Sequence, residues 1–85
     1  MQNIFKPTFI ATATDTVIGT GNVFVHTICF PKATAGIVTL EQSDGTDYIA
    51  LPVGTIGTHI FDSVFPSGLS VKTASADFLI VNSGQ

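Results

Sequence analysis

The chain has little charge and lacks two residue types that binding sites often use. Charged residues form 11% of its 85 residues, and it contains neither arginine nor tryptophan. An ordinary soluble domain carries roughly 25% charged residues. Nucleic-acid binding needs clustered basic side chains, whereas only Lys6, Lys32 and Lys72 are cationic and the net charge is −3. The sequence therefore argues against a nucleic-acid partner.

Cysteine is nearly absent as well. The single residue, Cys29, excludes an intrachain disulfide, and no Cys/His cluster predicts a structural zinc site. We therefore expect no metal and no other cofactor. Residues 1–85 make one domain, and a chain this short buries only about 60–65% of its unfolded surface. Oligomerisation is the remaining aid to stability for so small a domain.

Long apolar runs are missing too. No stretch approaches the roughly 20 continuous apolar residues of a membrane helix, so we expect no membrane partner. The N-terminal residues 1–7 lack the basic region and apolar segment of a secretory signal. These features predict synthesis in a cytoplasm.

What the chain does have is a β-strand pattern, with hydrophobic residues at 45% of positions. Turn signals recur about every 8–12 residues between segments rich in Val, Ile, Phe and Thr, which is typical of an all-β sandwich or barrel. We predict a single small β-sandwich, jelly-roll-like, of seven to eight antiparallel strands. The predicted strands are residues 8–14, 23–30, 36–42, 47–51, 55–61, 69–73 and 77–81, with a short strand at 16–18 inside a turn region and a polar tail at 82–85.

The strongest strand prediction is residues 23–30, which is apolar on both faces. Strict alternation groups Phe24, His26, Ile28 and Phe30 on one face, and Val23, Val25, Thr27 and Cys29 on the other. Such a strand is either central in the sandwich or part of a subunit interface. Val23, Val25 and Thr27 are the candidate subunit interface. Cys29, flanked by apolar residues, is predicted to be a buried, inert thiol.

Two predicted turns, one proline and one glycine interrupt the predicted strands. Ser43-Asp44-Gly45-Thr46 is the clearest hairpin turn, since Asp-Gly tolerates the positive φ angles of tight β-turns, and Pro66-Ser67-Gly68 is a second turn. Pro7 stands at a strand entrance, where a missing N–H does least harm. Gly57 is a candidate β-bulge.

No residue constellation predicts catalysis. His26 and His59 fall on separate predicted strands with no serine or cysteine motif beside either, and nucleophilic catalysis needs nucleophile, base and orienting acid within mutual reach. We therefore predict no catalytic residues and no enzyme activity. Asp44 and Asp47 flank a turn without the ligand spacing of a calcium loop, so turn formation explains them more simply.

The aromatic residues offer candidates for contact with a partner. The seven phenylalanines are mostly core by default. Phe5 and Phe9, with Ile4, are the candidate docking residues, because the N-terminal segment can project from the sandwich. Residues 1–7 are the candidate docking segment, and the alternative is that the two rings cap the edge of the sandwich.

A set of spaced glycines and apolar residues resembles a known group of proteins. The pattern is Gly36-x-Val38-x-Leu40, Asp44-Gly45, Leu51-Pro52-x-Gly54-Thr55, Phe61 and Phe65-x-x-Gly68-Leu69-x-Val71-x-Thr73. It is similar to the short all-β virion proteins of tailed bacteriophages, of which several are capsid decoration (cement) proteins. The resemblance covers residues 21–81, and its motifs are mostly turn glycines and alternating apolar positions.

This resemblance implies a structural role on the virion surface. A decoration protein sits at capsomer junctions on the major capsid protein, usually as a trimer or another symmetric homo-oligomer, and adds contacts that stabilise the head. The alternative is a tail-fibre, spike or head-fibre module that binds a host glycan. That alternative predicts exposed aromatic side chains near residues 44–48 or 62–67, and Tyr48 is the only tyrosine.

Overall fold

The computed structural model describes residues 5–42 and 45–84. Within them the chain forms eight strands and is all-β, as the sequence predicts. The strands are β1 (Lys6–Ile10), β2 (Asp15–Gly19), β3 (Val23–Phe30), β4 (Val38–Glu41), β5 (Asp47–Leu51), β6 (Gly57–Phe65), β7 (Leu69–Thr73) and β8 (Leu79–Gly84).

The strands form two antiparallel four-stranded sheets. The first sheet has the order β1-β8-β3-β6 and the second the order β2-β7-β4-β5. The chain crosses between the sheets at every connection except the β4–β5 hairpin, and the last strands insert between the earlier ones. This is the strand order of the eight-stranded jelly roll with its two Greek keys. The predicted jelly-roll-like sandwich is therefore confirmed.

The core lies between the two sheets and follows from strand alternation. Side chains that point inward from both sheets interdigitate there, and each fully buried aliphatic or phenyl group contributes roughly 1.5–3 kcal/mol. Its members are Ile10, Val23, Val25, Ile28, Phe30, Val38, Leu40, Phe65, Leu69, Val71, Leu79 and Val81, with Ile18, Tyr48, Leu51 and Phe61 packed against them.

Several strand boundaries differ from those predicted. β3, β5 and β7 have the predicted bounds, whereas β1 ends at Ile10 because residues 11–14 connect the two sheets. The predicted turn region at 15–22 holds a full strand, β2, paired with β7. Most of the predicted polar tail belongs to β8, because its ladder with β3 continues to the pair Phe24–Gly84 and Ser83 is buried.

A β-bulge corrects the predicted faces of β3. The register with both neighbouring strands shifts between Val25 and Thr27, so one extra residue changes which positions point inward. Val23, Val25, Ile28 and Phe30 are all fully buried, while Cys29 is partly exposed. The prediction of a buried Cys29 is therefore wrong.

The connections carry the expected turn chemistry in the part that the structure describes. Gly45 adopts a φ of 90° and donates to the Gln42 carbonyl at 2.9 Å, in the predicted hairpin between β4 and β5. Ser43 and Asp44 of that turn lie outside the described residues. Gly57 has a φ of 91° at the start of β6, but the register shift on β6 lies further along, between Ile60 and Ser63. No helix within residues 5–42 and 45–84 is long and apolar enough to cross a membrane.

Candidate functional site: an apolar sheet face

The side of the first sheet that points away from the core is apolar. In one row across all four strands, Phe9 pairs with Ile80, Ile80 with Cys29, and Cys29 with Thr58. Apolar side chains from the neighbouring rows extend this surface. We call it the outer face and define it by Phe9, Phe24, Cys29, Ile60, Val64 and Ile80.

Three side chains of the outer face are largely uncovered. The exposed fraction is 71% for Ile60, 62% for Phe9 and 56% for Val64. Monomeric soluble proteins rarely expose contiguous apolar patches larger than a few hundred Å², and larger ones mark interaction sites. The outer face is therefore the strongest candidate for a binding surface in this fold.

Aromatic contacts hold the margins of the outer face in place. Phe5 stacks on the His26 ring at 5.1 Å and lies 5.6 Å from the Phe24 ring. At the other margin, Phe9 stacks on Phe78 at 6.3 Å with nearly parallel rings. Such pairs contribute about 0.5–1.5 kcal/mol beyond area burial. The exposed rings are therefore held in a defined arrangement before any partner binds.

A histidine–aspartate pair lies beside this surface. His26 Nδ1 and Asp62 Oδ1 form a short hydrogen bond between the bulged parts of β3 and β6, with the side chains 44% and 52% exposed. Asp62 has a φ of 44°, and no other non-glycine residue among those described has a positive φ. Aspartate tolerates this left-handed conformation better than most residues. The pair therefore joins the two bulged segments and holds the His26 ring against Phe5.

The partners of the two histidines do not include a nucleophile. His26 bonds to the Asp62 carboxylate, and His59 Nε2 donates to the Ile56 carbonyl at 3.0 Å. The His59 ring also meets the edge of Phe30 at 5.6 Å. In the described part of the chain, no group of three or more His, Cys, Asp or Glu side chains could hold a metal ion. These contacts favour structural roles for both imidazoles.

The second sheet presents a charged outer side instead. Asp15 pairs in register with Lys72, and Glu41 with Asp47. Glu41 is only 7% exposed. The pKa of Glu41 is raised above its ordinary value of 4.5, chiefly by burial and then by the hydrogen bond with the Asp15 carboxyl and the charge of that carboxyl. The charge of Lys72 acts in the opposite direction. Water solvates the exposed charged groups on this side of the second sheet well, whereas it solvates the apolar side chains of the outer face poorly.

The connecting loops at one end of the sandwich are bonded to each other. The Asp77 carboxylate accepts from the backbone N–H groups of Ala35 and Gly36 at 2.8 and 3.1 Å. Thr34 Oγ1 accepts from Gly54 and Thr55, both at 3.2 Å. Buried polar groups with satisfied hydrogen bonds stiffen such loops. This end also exposes apolar side chains: Ile37, Val53 and Ile56.

The candidate docking residues lie on or beside the outer face. Phe5 is 39% exposed and Phe9 62%, so both rings reach the surface. Ile4 lies outside the described residues. Lys6 and Pro7 belong to β1, which is an edge strand of the first sheet. The part of the proposed docking segment that the structure describes therefore lies mainly in the sheet rather than projecting from it.

The candidate subunit-interface residues are already covered by the chain itself. Val23 and Val25 are fully buried in the core, and Thr27 is 8% exposed, with its Oγ1 accepting a hydrogen bond from Asn82 at 2.9 Å. Two of their neighbours on β3 reach the outer face instead. Phe24 does so by simple alternation, and Cys29 does so because the bulge between Val25 and Thr27 shifts it to that side.

Sequence reasoning missed Ile60, Val64 and Phe78, which all contribute to this surface. Alternation along residues 58–60 could have marked Ile60 as an outward position. Val64 follows the same alternation as Ile60, but it lies beyond the predicted end of this strand at residue 61. Phe78 is visible only through its stacking with Phe9.

The aromatic residues near the predicted glycan loops are not stacking platforms. The Tyr48 hydroxyl is buried without a hydrogen-bond partner in the described part of the chain. Its ring packs edge-on against Phe65 at 4.8 Å, and Phe65 is only 8% exposed. A sugar ring needs an accessible aromatic face, so these positions give the glycan-binding alternative no support.

Two comparisons with known proteins give no match. No family model matches the chain, and no curated protein matches it. A function therefore has to be argued from the fold and from the outer face.

Proposed function

We propose that this chain is a structural protein of a tailed-phage virion, of the capsid decoration (cement) type, which self-associates and binds the major capsid protein. The observation that carries the proposal is the outer face, an exposed apolar side on a jelly-roll sandwich. Double-sheet jelly rolls recur in viral capsid domains. The sequence resemblance to small phage virion proteins points to the same role.

The cementing mechanism would be burial of apolar surface between chains. Removing apolar area from water contributes roughly 25 cal/mol per Å², and Phe9, Ile60 and Val64 provide such area on the outer face. Each contact can be weak, because many copies on one shell act together. No step in this mechanism needs a catalytic group or a cofactor.

Strand edges offer a second type of contact. The first sheet ends in β1 and β6, and the second in β2 and β5. Unpaired N–H and C=O groups on such edges can add a strand from a neighbouring chain. β6 is the longest strand, with nine residues, so it offers the largest edge for pairing with a capsid segment.

The first test is a copy count. Particles from the source system are purified, and this chain is quantified against the major capsid protein by mass spectrometry. A fixed ratio that implies hundreds of copies supports a decoration protein on the capsid surface. A handful of copies per particle would place the chain in the tail or a fibre instead, and absence from particles would overturn the virion role.

The second test concerns the outer face. Phe9→Asp places a charge on this surface, and we expect at least a tenfold loss of binding to particles that lack the protein. Phe9 is exposed, so the fold should persist, which circular dichroism can check. The matched control is Val17→Asp, an equally exposed change on the second sheet, which should bind normally. Unchanged binding of Phe9→Asp would contradict a role of the outer face.

A further inference from the structure

We propose that a second copy of this chain covers the outer face, with the two first sheets packed face to face around a two-fold axis. The inference rests on the self-association in the proposed function, but it does not depend on the capsid partner. It names the surface and the symmetry of that association.

The chemistry of the outer face fits a copy of itself. Apart from Asp62, which is bonded to His26 at the margin, the described outward-facing positions of the first sheet carry no charged residue. The outer side of the second sheet, by contrast, exposes Asp15, Asp47 and Lys72. A charged partner surface would lose hydration on the outer face without gaining an opposite charge. An uncharged apolar surface is complementary to itself, which is what a two-fold interface requires.

The size of the first sheet is sufficient for a dimer. Four strands spaced about 4.8 Å apart give a width of roughly 19 Å. The strands have five to nine residues, or roughly 17–30 Å of length. Two such faces bury close to 1,000 Å² in total, about the lower bound for a specific interface. The association should therefore be reversible and depend on protein concentration.

Cys29 provides a built-in reporter of this contact. It is a free, partly exposed thiol on β3, within the row that joins Phe9, Ile80 and Thr58. A second copy on the outer face would shield it from solvent. In the monomer it remains open to a thiol reagent.

The first experiment measures molar mass by light scattering or sedimentation over a wide concentration range. We expect wild-type protein to approach twice the 8.9 kDa chain mass. Ile60→Asp should raise the dimer dissociation constant at least tenfold, and Val17→Asp should match wild type. A monomer at every concentration, or a three-fold mass, would overturn the two-fold assignment.

The second experiment follows the reaction of Cys29 with Ellman's reagent. The rate constant per thiol should fall as the wild-type concentration rises through the dimerisation range, and it should stay high in Ile60→Asp. A dimer whose Cys29 reacts at the monomer rate would show that another surface is used. Particle binding is measured separately, so a dimer that is absent from virions would refute the proposed function while leaving this inference intact.

Discussion

At the scale of single residues, Glu41 is the clearest electrostatic cost in the fold. Its pKa is raised by burial and then by Asp15, so the folded protein favours the protonated acid. The folded protein therefore carries no penalty from Glu41 below pH 4.5, where the acid is protonated in both the folded and the unfolded chain. The free energy of unfolding then falls as the pH rises through the raised pKa. We expect Glu41→Gln to raise the melting temperature at pH 7.

The pH dependence separates this effect from a general gain in packing. The difference in melting temperature between Glu41→Gln and wild type should shrink on acidification and vanish below pH 4.5, because both side chains are then neutral. Thermal scans of the two proteins across this range measure the difference directly. A constant difference at all pH values would show that the charge of Glu41 is not the cause.

Gly36 is a residue whose identity the structure requires. A Cβ at this position would lie 2.6 Å from Ser75 Oγ and 3.0 Å from Ser75 N. We expect Gly36→Ala to cost about 1–3 kcal/mol of unfolding free energy, as overpacking does, measured by urea denaturation. Gly36→Ala with Ser75→Ala removes the closest contact and should recover part of the loss. Full stability of the single variant would contradict the close approach.

At the residue scale, the exposure of individual side chains was only partly predictable from the sequence. Phe5 and Phe9 were proposed to contact partners because the N-terminal segment could project, but Phe9 is exposed as part of β1 instead. The exposure of Cys29 was not predicted. Alternation along β3 assigned Cys29 to the side of Val23, and the bulge between Val25 and Thr27 reversed that assignment. A bulge depends on pairing with two other strands, which a single segment does not encode.

At the scale of elements, Asp62 explains why β6 continues beyond its predicted end at residue 61. Its left-handed conformation absorbs the register shift, so the strand resumes through Phe65. We expect Asp62→Val to cost about 1–3 kcal/mol, because a β-branched residue resists this conformation. Asp62→Asn tolerates this conformation and weakens only an exposed hydrogen bond with His26, so the cost should stay below about 1 kcal/mol.

Chemical denaturation of the two Asp62 variants decides between backbone conformation and charge. Equal losses in both would mean that the pair with His26, rather than the conformation, stabilises the bulge.

The boundaries of β8 illustrate a related limit of prediction. Residues 82–84 look like a polar tail in isolation, but β3 on one side and β1 on the other extend their ladders to them.

At the scale of the whole molecule, the sequence predicted the class of fold, but not which strands are neighbours. Turn spacing and alternation indicate a sandwich, because they are local properties. The order β1-β8-β3-β6 joins residues at opposite ends of the chain, and no local pattern specifies such pairing. The outer face becomes visible only once these four strands lie side by side, which is why Ile60 and Phe9 could not be recognised as parts of one surface.

Dimerisation through that surface predicts a melting temperature that depends on concentration. A partner that binds only the folded chain stabilises it by mass action, and for a domain of this size each tenfold rise in concentration should add about 3–6 °C. Wild type and Val17→Asp should follow this trend in differential scanning calorimetry, and Ile60→Asp should not. A wild-type melting temperature that stays constant over a hundredfold range would mean that the folded chain gains nothing from a second copy.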